Sequence, residues 1–149
     1  MLAELLPKPV YRNYRLRLEM SLQIAIDASE QEIHELIAAG FTAERVQMLR
    51  ELGGYSATAL NQIIPLGTLN SRLARSQRLS LSESDRLFRF AHVTAMAEAL
   101  FGDAQKAQRW LSKPKQCFAW QQPIALLSTT QGTRLVEELL IQVAEGLAL

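Results

Sequence analysis

Residues 81–101 read LSESDRLFRFAHVTAMAEALF, which is the longest helical pattern in the chain. Serine and acidic residues open this stretch and Gly102 follows it, and these are the usual signals for the start and the end of an α-helix. Ser82 or Ser84 is the expected N-terminal cap. Elsewhere the chain has no strict apolar–polar alternation and no Asn-Gly or Asp-Gly pair between strand-like runs. The sequence therefore predicts an all-α fold.

Shorter helices are predicted on both sides of this stretch. Ser29 begins a capping box with the glutamate three residues further on, and the next three helices start at Thr42, Ser56 and Pro65. Towards the C-terminus, Asp103 opens one helix, Pro123 opens a single turn, and Thr129 or Thr130 opens the final helix. In the final helix, Leu135, Leu139 and Val143 repeat at every fourth position and form an apolar stripe.

The first 28 residues are predicted to form an N-terminal arm. Within residues 1–20, basic side chains alternate with proline and tyrosine, and this composition is too broken to predict a helix. The sequence leaves three roles open for such an arm: contact with phosphates, packing on a partner subunit, or a loosely docked terminus.

The composition is that of an ordinary globular protein of one-domain size, with 149 residues, 48% hydrophobic residues and a net charge of +1. This charge balance excludes a general attraction to nucleic acid or anionic lipid, so electrostatic binding must be local. Cys117, His34 and His92 lack metal-ligand spacing, and His92 with Cys117 is better explained as a helical histidine and an apolar cysteine than as a nucleophile pair. The chain has neither a signal-peptide pattern nor an apolar run of transmembrane length. These features predict a cytoplasmic protein with no membrane span, metal, cofactor or enzymatic activity.

A locally basic surface is predicted between Glu51 and Glu83, because this interval contains arginines and no acidic residue. On a helix that begins near Pro65, the polar side chains lie on one side, while Leu69 and Leu73 lie on another. A short helix, a turn and a second helix with polar residues outward is the layout of a DNA-binding helix-turn-helix. The candidate DNA contacts are Thr68, Asn70, Ser71, Arg72, Arg75 and Arg78. The alternative is a solvated arginine face on a segment that packs instead of contacting bases.

Four segments occur in an order that resembles the Xre/MbcA/ParS-type antitoxins. They are RLSLSESDRLFRF at residues 78–90, EALFGD at 98–103, AQRWL at 107–111 and PIALL at 123–127. The resemblance covers residues 30–149 and is most specific in the C-terminal half. It implies an Xre-like helix-turn-helix and dimerisation region at residues 29–80, followed by a toxin-binding domain at 81–149. Residues 115–120 depart from the family pattern, since bulky residues stand where small residues and glycines are frequent.

The resemblance implies an antitoxin of a type II toxin–antitoxin pair whose partner is a RES-domain toxin that degrades NAD. The expected toxin contacts are Trp110, Trp120, Leu126, Leu127, Arg134, Glu138, Gly146, Leu147 and Leu149. Trp110, Leu126 and Leu127 are equally compatible with a local core, whereas Trp120 lies on a predicted loop and is the better interface candidate. The end of the last helix and the tail from Gly146 to Leu149 are expected to approach the NAD-binding cleft of the toxin.

The resemblance also implies a homodimer that binds the promoter of its own operon, with the first 29 residues and the early helices as the candidate dimer contact. Two other functions remain open. One is a stand-alone helix-turn-helix regulator without a toxin partner, and the other is an adaptor that neutralises a toxin without binding DNA.

Overall fold

The computed structural model describes residues 2–146 and confirms the predicted all-α fold. Within these residues there are eight α-helices and no strand. The helices are α1 (Lys8–Leu22), α2 (Glu30–Ala39), α3 (Glu44–Gly53), α4 (Ala57–Asn61), α5 (Leu66–Ala74), α6 (Leu81–Phe101), α7 (Ala104–Ser112) and α8 (Thr130–Ala144). Short 3₁₀ helices occupy Leu2–Leu5, Gln116–Phe118 and Pro123–Ser128.

Helix α6 has the bounds predicted from the sequence and forms the centre of the fold. Every residue from Phe90 to Ala99 is buried, because α1, α2, α3, α7 and α8 all pack around this helix. Small alanine side chains in this stretch let the neighbouring helices approach closely. A helix surrounded on all sides by others does not need an amphipathic pattern, which explains why α6 is apolar all round in its middle.

The cap of α6 differs from the prediction. Ser80 is the N-terminal cap, and it forms a complete capping box with Glu83, so the assignment of Ser82 or Ser84 as the cap is wrong. Ser84 is instead fully buried, and its hydroxyl accepts a hydrogen bond from the backbone N–H of Phe41. The capping predictions at Ser29, Ser56, Asp103 and Thr129 are confirmed, since each side chain accepts a hydrogen bond from the first turn of its helix.

The prediction of an N-terminal arm is wrong, because residues 8–22 form helix α1, and α1 packs along α6. Pro9 lies in the first turn, where a missing N–H does not break the helix. Tyr14 and Leu18 are fully buried. Arg15 is also buried and donates hydrogen bonds to the backbone oxygens of Ala25 and Ala28, so this basic residue holds the loop between α1 and α2 and is not available to bind phosphate.

Residues 2–146 contain no helix that is both long enough and apolar enough to cross a membrane. The same described residues contain no group of three side chains that is suited to hold a metal ion.

Candidate partner-binding surfaces

Helices α4 and α5 form the predicted arrangement of two short helices around a turn. Ser56 caps α4, and Pro65 precedes the first turn of α5 with an extended backbone. The turn between them is held in the core because Ile63 and Ile64 are buried. Arg86 of α6 also donates a hydrogen bond to the backbone oxygen of Ile63 at 2.9 Å. The turn is therefore anchored to the central helix.

The polar side of α5 contains the residues that were predicted to contact DNA. Leu69 is buried and Leu73 packs against the core, as the sequence predicts, which leaves the opposite side of the helix facing solvent. On that side Asn70 and Arg75 are exposed, while Thr68 and Ser71 are half-buried. The guanidinium of Arg75 makes no hydrogen bond or ion pair within the described residues.

The other two arginines of this surface form bonds within the chain. Arg72 pairs with Glu83 at 3.2 Å, so it connects α5 to the capping box at the start of α6. Burial by itself would raise the pKa of Glu83, but hydrogen bonds from Ser80 and from the Arg72 guanidinium hold this pKa below its ordinary value. Arg78 donates a hydrogen bond to the backbone oxygen of Gly40 at 2.7 Å. Only part of the predicted basic surface is thus free of internal partners within residues 2–146.

The C-terminal region carries Trp110 on α7. This indole is half-buried, packs 5.9 Å from the ring of Phe101, and is covered by the ammonium group of Lys115 at 4.7 Å from the ring centre. Trp110 therefore connects the end of α6 with the loop after α7, and only part of its surface is exposed.

Trp120 has the opposite environment, because 67% of its surface is exposed. The backbones of Ala119 and Trp120 both have left-handed φ angles, 53° and 64°, which are unfavourable for residues other than glycine. Hydrogen bonds hold this tight loop closed, from the N–H of Trp120 to the oxygen of Lys115 at 2.8 Å and from the N–H of Lys115 to the oxygen of Gln121 at 3.1 Å. This loop therefore keeps two unfavourable backbone conformations while its indole is exposed to solvent. Such backbone strain is typical of binding sites.

Helix α8 has two apolar rows, and only one of them packs on the core. The buried row contains Val136 and Leu140. The stripe singled out in the sequence, Leu135, Leu139 and Val143, faces outward instead: Leu135 is 50% exposed, and Leu139 and Val143 are half-buried without joining the core of the described residues. These three aliphatic side chains form a partly exposed strip roughly 12 Å long along the helix.

Gly132 fixes the position of α8. A Cβ atom on this residue would lie 2.0 Å from the backbone oxygen of Leu126, so a side chain there would push α8 away from the 3₁₀ helix Pro123–Ser128. Leu127 of this 3₁₀ helix is fully buried, and Leu126 is partly buried against the core. Of the two roles that the sequence left open for Leu127, the structure places it in the core and away from any surface.

The remaining predicted toxin contacts lie near the outer side of α8. Arg134 donates a hydrogen bond to Glu138 at 3.1 Å, and both side chains are well exposed. Gly146 is exposed and ends the helix with a φ of 75°. Leu147 and Leu149 lie outside the described residues.

One polar cluster was not identified from the sequence, and it connects three helices. The hydroxyl of Tyr14 in α1 is 2.5 Å from Nδ1 of His92 in α6, and Nε2 of His92 is 3.0 Å from the carboxylate of Glu137 in α8. Burial raises the pKa of Tyr14 far above its ordinary value, so the hydroxyl keeps its proton. Phe88 stacks on the imidazole with ring centres 5.5 Å apart. Both ring nitrogens thus have hydrogen-bond partners, so His92 acts as a structural residue. Cys117 is exposed in the 3₁₀ helix Gln116–Phe118.

Comparison with known proteins places a family match on the C-terminal region. Residues 96–146 match the family model described as the antitoxin Xre/MbcA/ParS C-terminal toxin-binding domain. The protein named Antitoxin Xre from Pseudomonas putida is 53% identical over 149 residues, which is 100% of this chain and 94% of the relative. The Antitoxin Xre from Yersinia enterocolitica is 34% identical over 84 residues, or 56% of this chain and 57% of that relative. The matched residues include Trp110, Trp120 and the outer side of α8.

Proposed function

This chain belongs to the Xre family of antitoxins, and from that premise we propose that it neutralises a RES-domain, NAD-degrading toxin by covering the active site of the toxin. The observation that carries the proposal is that the matched region leaves apolar side chains outside the core of the described residues. They are the exposed indole of Trp120 and the partly covered row Leu135, Leu139 and Val143 of α8, and together they are called the α8 surface below.

The composition of the α8 surface supports a role in protein binding. Tryptophan is among the residues that contribute most to binding energy at protein interfaces, and an indole held by a closed loop loses little conformational entropy when it binds. The aliphatic row extends the apolar area along the helix, while Arg134 and Glu138 supply a charged rim beside it. A neutralising protein needs such a complementary surface and does not need a catalytic group.

The end of α8 is the part that we propose to reach the NAD-binding cleft. The outer apolar row runs toward Gly146, and the tail residues Leu147 and Leu149 follow it in the sequence. In this proposal the α8 surface grips the body of the toxin, and the tail obstructs the entry of NAD. Removal of Leu147–Leu149 should then reduce inhibition more than it reduces formation of the complex.

We also propose that the protein is a homodimer that binds the promoter of its own operon through α5. Asn70 and Arg75 are the exposed residues of this surface that suit base or phosphate contacts, with Thr68 and Ser71 beside them. A dimer would place two copies of α5 in successive major grooves about 34 Å apart. Because one side of α1 packs on α6, the proposed dimer contact would use the outward side of α1, where Leu16 and Met20 are exposed, together with the outward sides of the early helices.

The toxin proposal is tested by co-expressing the chain with the protein encoded beside it and purifying the complex through a tag on one partner. We expect the complex to lack NADase activity and the separated partner to regain it. Trp120→Ala and Leu135→Asp should release active toxin, since Leu135 is 50% exposed. Leu81→Asp is the matched control, because Leu81 is also an exposed leucine, at 60%, and lies outside the matched region.

The alternative outcomes of this experiment are distinct. A complex that keeps full NADase activity would contradict occlusion of the active site. A partner without NADase activity would contradict the RES assignment. If no partner is bound and the chain shifts promoter DNA in an Arg75-dependent way, the stand-alone regulator would be the better explanation.

A further inference from the structure

A cavity of about 210 Å³ lies where α1, α3, α6 and the start of α7 meet. On α6 its lining residues Ala91, Thr94, Ala95 and Glu98 share one side of the helix, because they are three or four positions apart. Arg17 and Ser21 of α1 complete the polar part of the lining. Met20 and Leu52 stand at the mouth and are 58% and 38% exposed.

The polar groups around this cavity have unused hydrogen-bonding capacity. Thr94 is only 4% exposed, and its hydroxyl has no hydrogen-bond partner in the described structure. The carboxylate of Glu98 lies 3.5 Å from the Arg17 guanidinium, which is too long for a strong charge-assisted bond. Burial raises the pKa of Glu98, and Arg17 opposes this effect. A buried polar group without a partner costs free energy, so these atoms favour a ligand that supplies the missing bonds.

A second such group lies behind the lining, next to Gly53. Tyr55 is 4% exposed and its hydroxyl also has no partner in the described structure. Gly53 borders the cavity, and a Cβ atom there would lie 2.7 Å from the Tyr55 ring, so only glycine lets this ring pack beside the lining. The tyrosine and the carboxylate are near enough that Glu98 adds to the rise in the pKa of Tyr55, which burial mainly causes.

The charges of the lining restrict the class of ligand. Arg17 and Glu98 neutralise each other, so an anion would face the carboxylate and a cation would face the guanidinium. An uncharged group with both acceptors and donors avoids either conflict. A primary carboxamide has this character, since its oxygen can accept from Arg17 while its NH₂ donates to Glu98 and Thr94.

We propose that this cavity binds a primary carboxamide carried on a small apolar body. The apolar body would pack against Met20, Leu52 and Ala95, and the amide would lie between Arg17, Thr94 and Glu98. The volume is sufficient, because a cavity of about 150 Å³ is large enough to bind benzene. The site uses a face formed by α1, α3 and α6, so the proposal does not depend on the binding of toxin or DNA.

Benzamide is the probe for this site, and the full-length ¹⁵N-labelled chain is the protein. We expect saturable chemical-shift changes that centre on Thr94, Ala95 and Glu98. Benzoate and benzylamine have the same ring with a negative or a positive charge, and each should bind at least about tenfold more weakly, which corresponds to the loss of one good polar interaction. Shifts that do not saturate, or equal binding of the three compounds, would overturn the proposal.

Two variants test the position of the ligand. Thr94→Val keeps the shape and removes the hydroxyl, so it should weaken benzamide binding several-fold. Thr133→Val is the matched control, because Thr133 is equally buried on α8, away from the cavity. Ala95→Leu should fill the cavity and abolish binding. Unchanged benzamide binding in Thr94→Val and in a folded Ala95→Leu would overturn the proposal. If Ala95→Leu does not fold, the chemical-shift map of the unmodified chain still tests the position of the ligand.

The carboxamide has two possible sources, and a second probe distinguishes them. N-acetylglutamine methylamide represents the side chain of a partner protein, while benzamide represents a free small molecule. Tighter binding of benzamide would assign the site to a free small molecule. Tighter binding of the glutamine compound would assign it to an asparagine or glutamine of a partner. Binding of neither compound would overturn the proposal.

Discussion

The surface of α5 and the α8 surface differ in what their residues do inside the chain. On α5, Arg72 is paired with Glu83 and the nearby Arg78 is bonded to the backbone of Gly40. On the α8 surface, Trp120 and Leu135 are exposed, Leu139 is half-buried, and all three lie outside the packed core of the described residues. The first surface is therefore partly structural, while the second contributes little to the core.

This difference determines how substitutions can be interpreted. A change at Arg72 or Arg78 should alter the stability together with the proposed DNA binding, so loss of DNA binding there requires a stability control. A change on the α8 surface should alter binding to the toxin while the free energy of unfolding stays nearly constant. Both surfaces rest on one core of buried residues, so a change in that core should affect the two surfaces together.

The largest expected effect comes from helix α1. Leu18→Ala removes a fully buried side chain at the contact with α6 and should lower the free energy of unfolding by about 2–5 kcal/mol. Leu16→Ala, at a position 40% exposed on the same helix, should cost well under half as much. Urea denaturation of both variants measures this. If Leu18→Ala left the C-terminal region folded while the α4–α5 region unfolded, the two surfaces would not share one core.

The second effect concerns the α8 surface. Trp120→Ala should weaken the complex with the toxin by about 2 kcal/mol or more, which is roughly 30-fold in Kd, because it removes an exposed aromatic anchor. The unfolding midpoint of the free chain should change little, since the indole makes no contact with the core of the described residues and alanine keeps the same backbone strain. Calorimetric titration with purified toxin and urea denaturation give the two values. A large loss of stability in Trp120→Ala would show that the α8 surface, like the surface of α5, is partly structural.

Local signals explain the elements that the sequence predicts well. Capping boxes at Ser29 and Ser80 and the glycine after Phe101 depend on residues close in sequence, so the bounds of α6 follow from them with an error only in the capping serine. Helix α1 was missed because its prolines and arginines are local signals of a loop. Its helix is stabilised instead by burial of Tyr14 and Leu18 against α6, which is a tertiary effect.

The candidate surfaces were predicted less completely for the same reason. Helix α8 carries two adjacent apolar rows, and periodicity alone does not say which row packs, so the stripe at Leu135, Leu139 and Val143 turned out to face outward. The pairing of Arg72 with Glu83 and the cluster of Tyr14, His92 and Glu137 join residues on different helices. Trp120 could be predicted as an interface residue because it lies among loop residues and belongs to no apolar helix stripe.

The third effect tests the inner side of α8 against its outer side. Glu137→Gln weakens the bond to His92 and should destabilise the fold by about 1–3 kcal/mol, since a largely buried donor then faces an amide in place of a carboxylate. Glu138→Gln is the matched control, because the neighbouring carboxylate is exposed and should change the stability by no more than about 0.5 kcal/mol. Thermal unfolding of both variants is the measurement. Equal effects would show that the polar cluster contributes no more than a surface pair.

The smallest effect separates two arginines of α5. Arg72→Ala should lower the free energy of unfolding by about 1 kcal/mol because it removes the partner of Glu83, whereas Arg75→Ala should leave it unchanged. Both should weaken promoter binding, and Arg75→Ala should reduce the salt-dependence slope by about one if Arg75 contacts a phosphate.

Because the pKa of Glu83 is lowered in the folded chain, the contribution of its ion pair with Arg72 is complete at neutral pH and is lost as the pH falls through that lowered pKa. The stability difference between the unmodified chain and Arg72→Ala should therefore shrink in acid, and a difference that stays constant from neutral pH to pH about 3 would show that Arg72 stabilises the chain by packing and not by its charge.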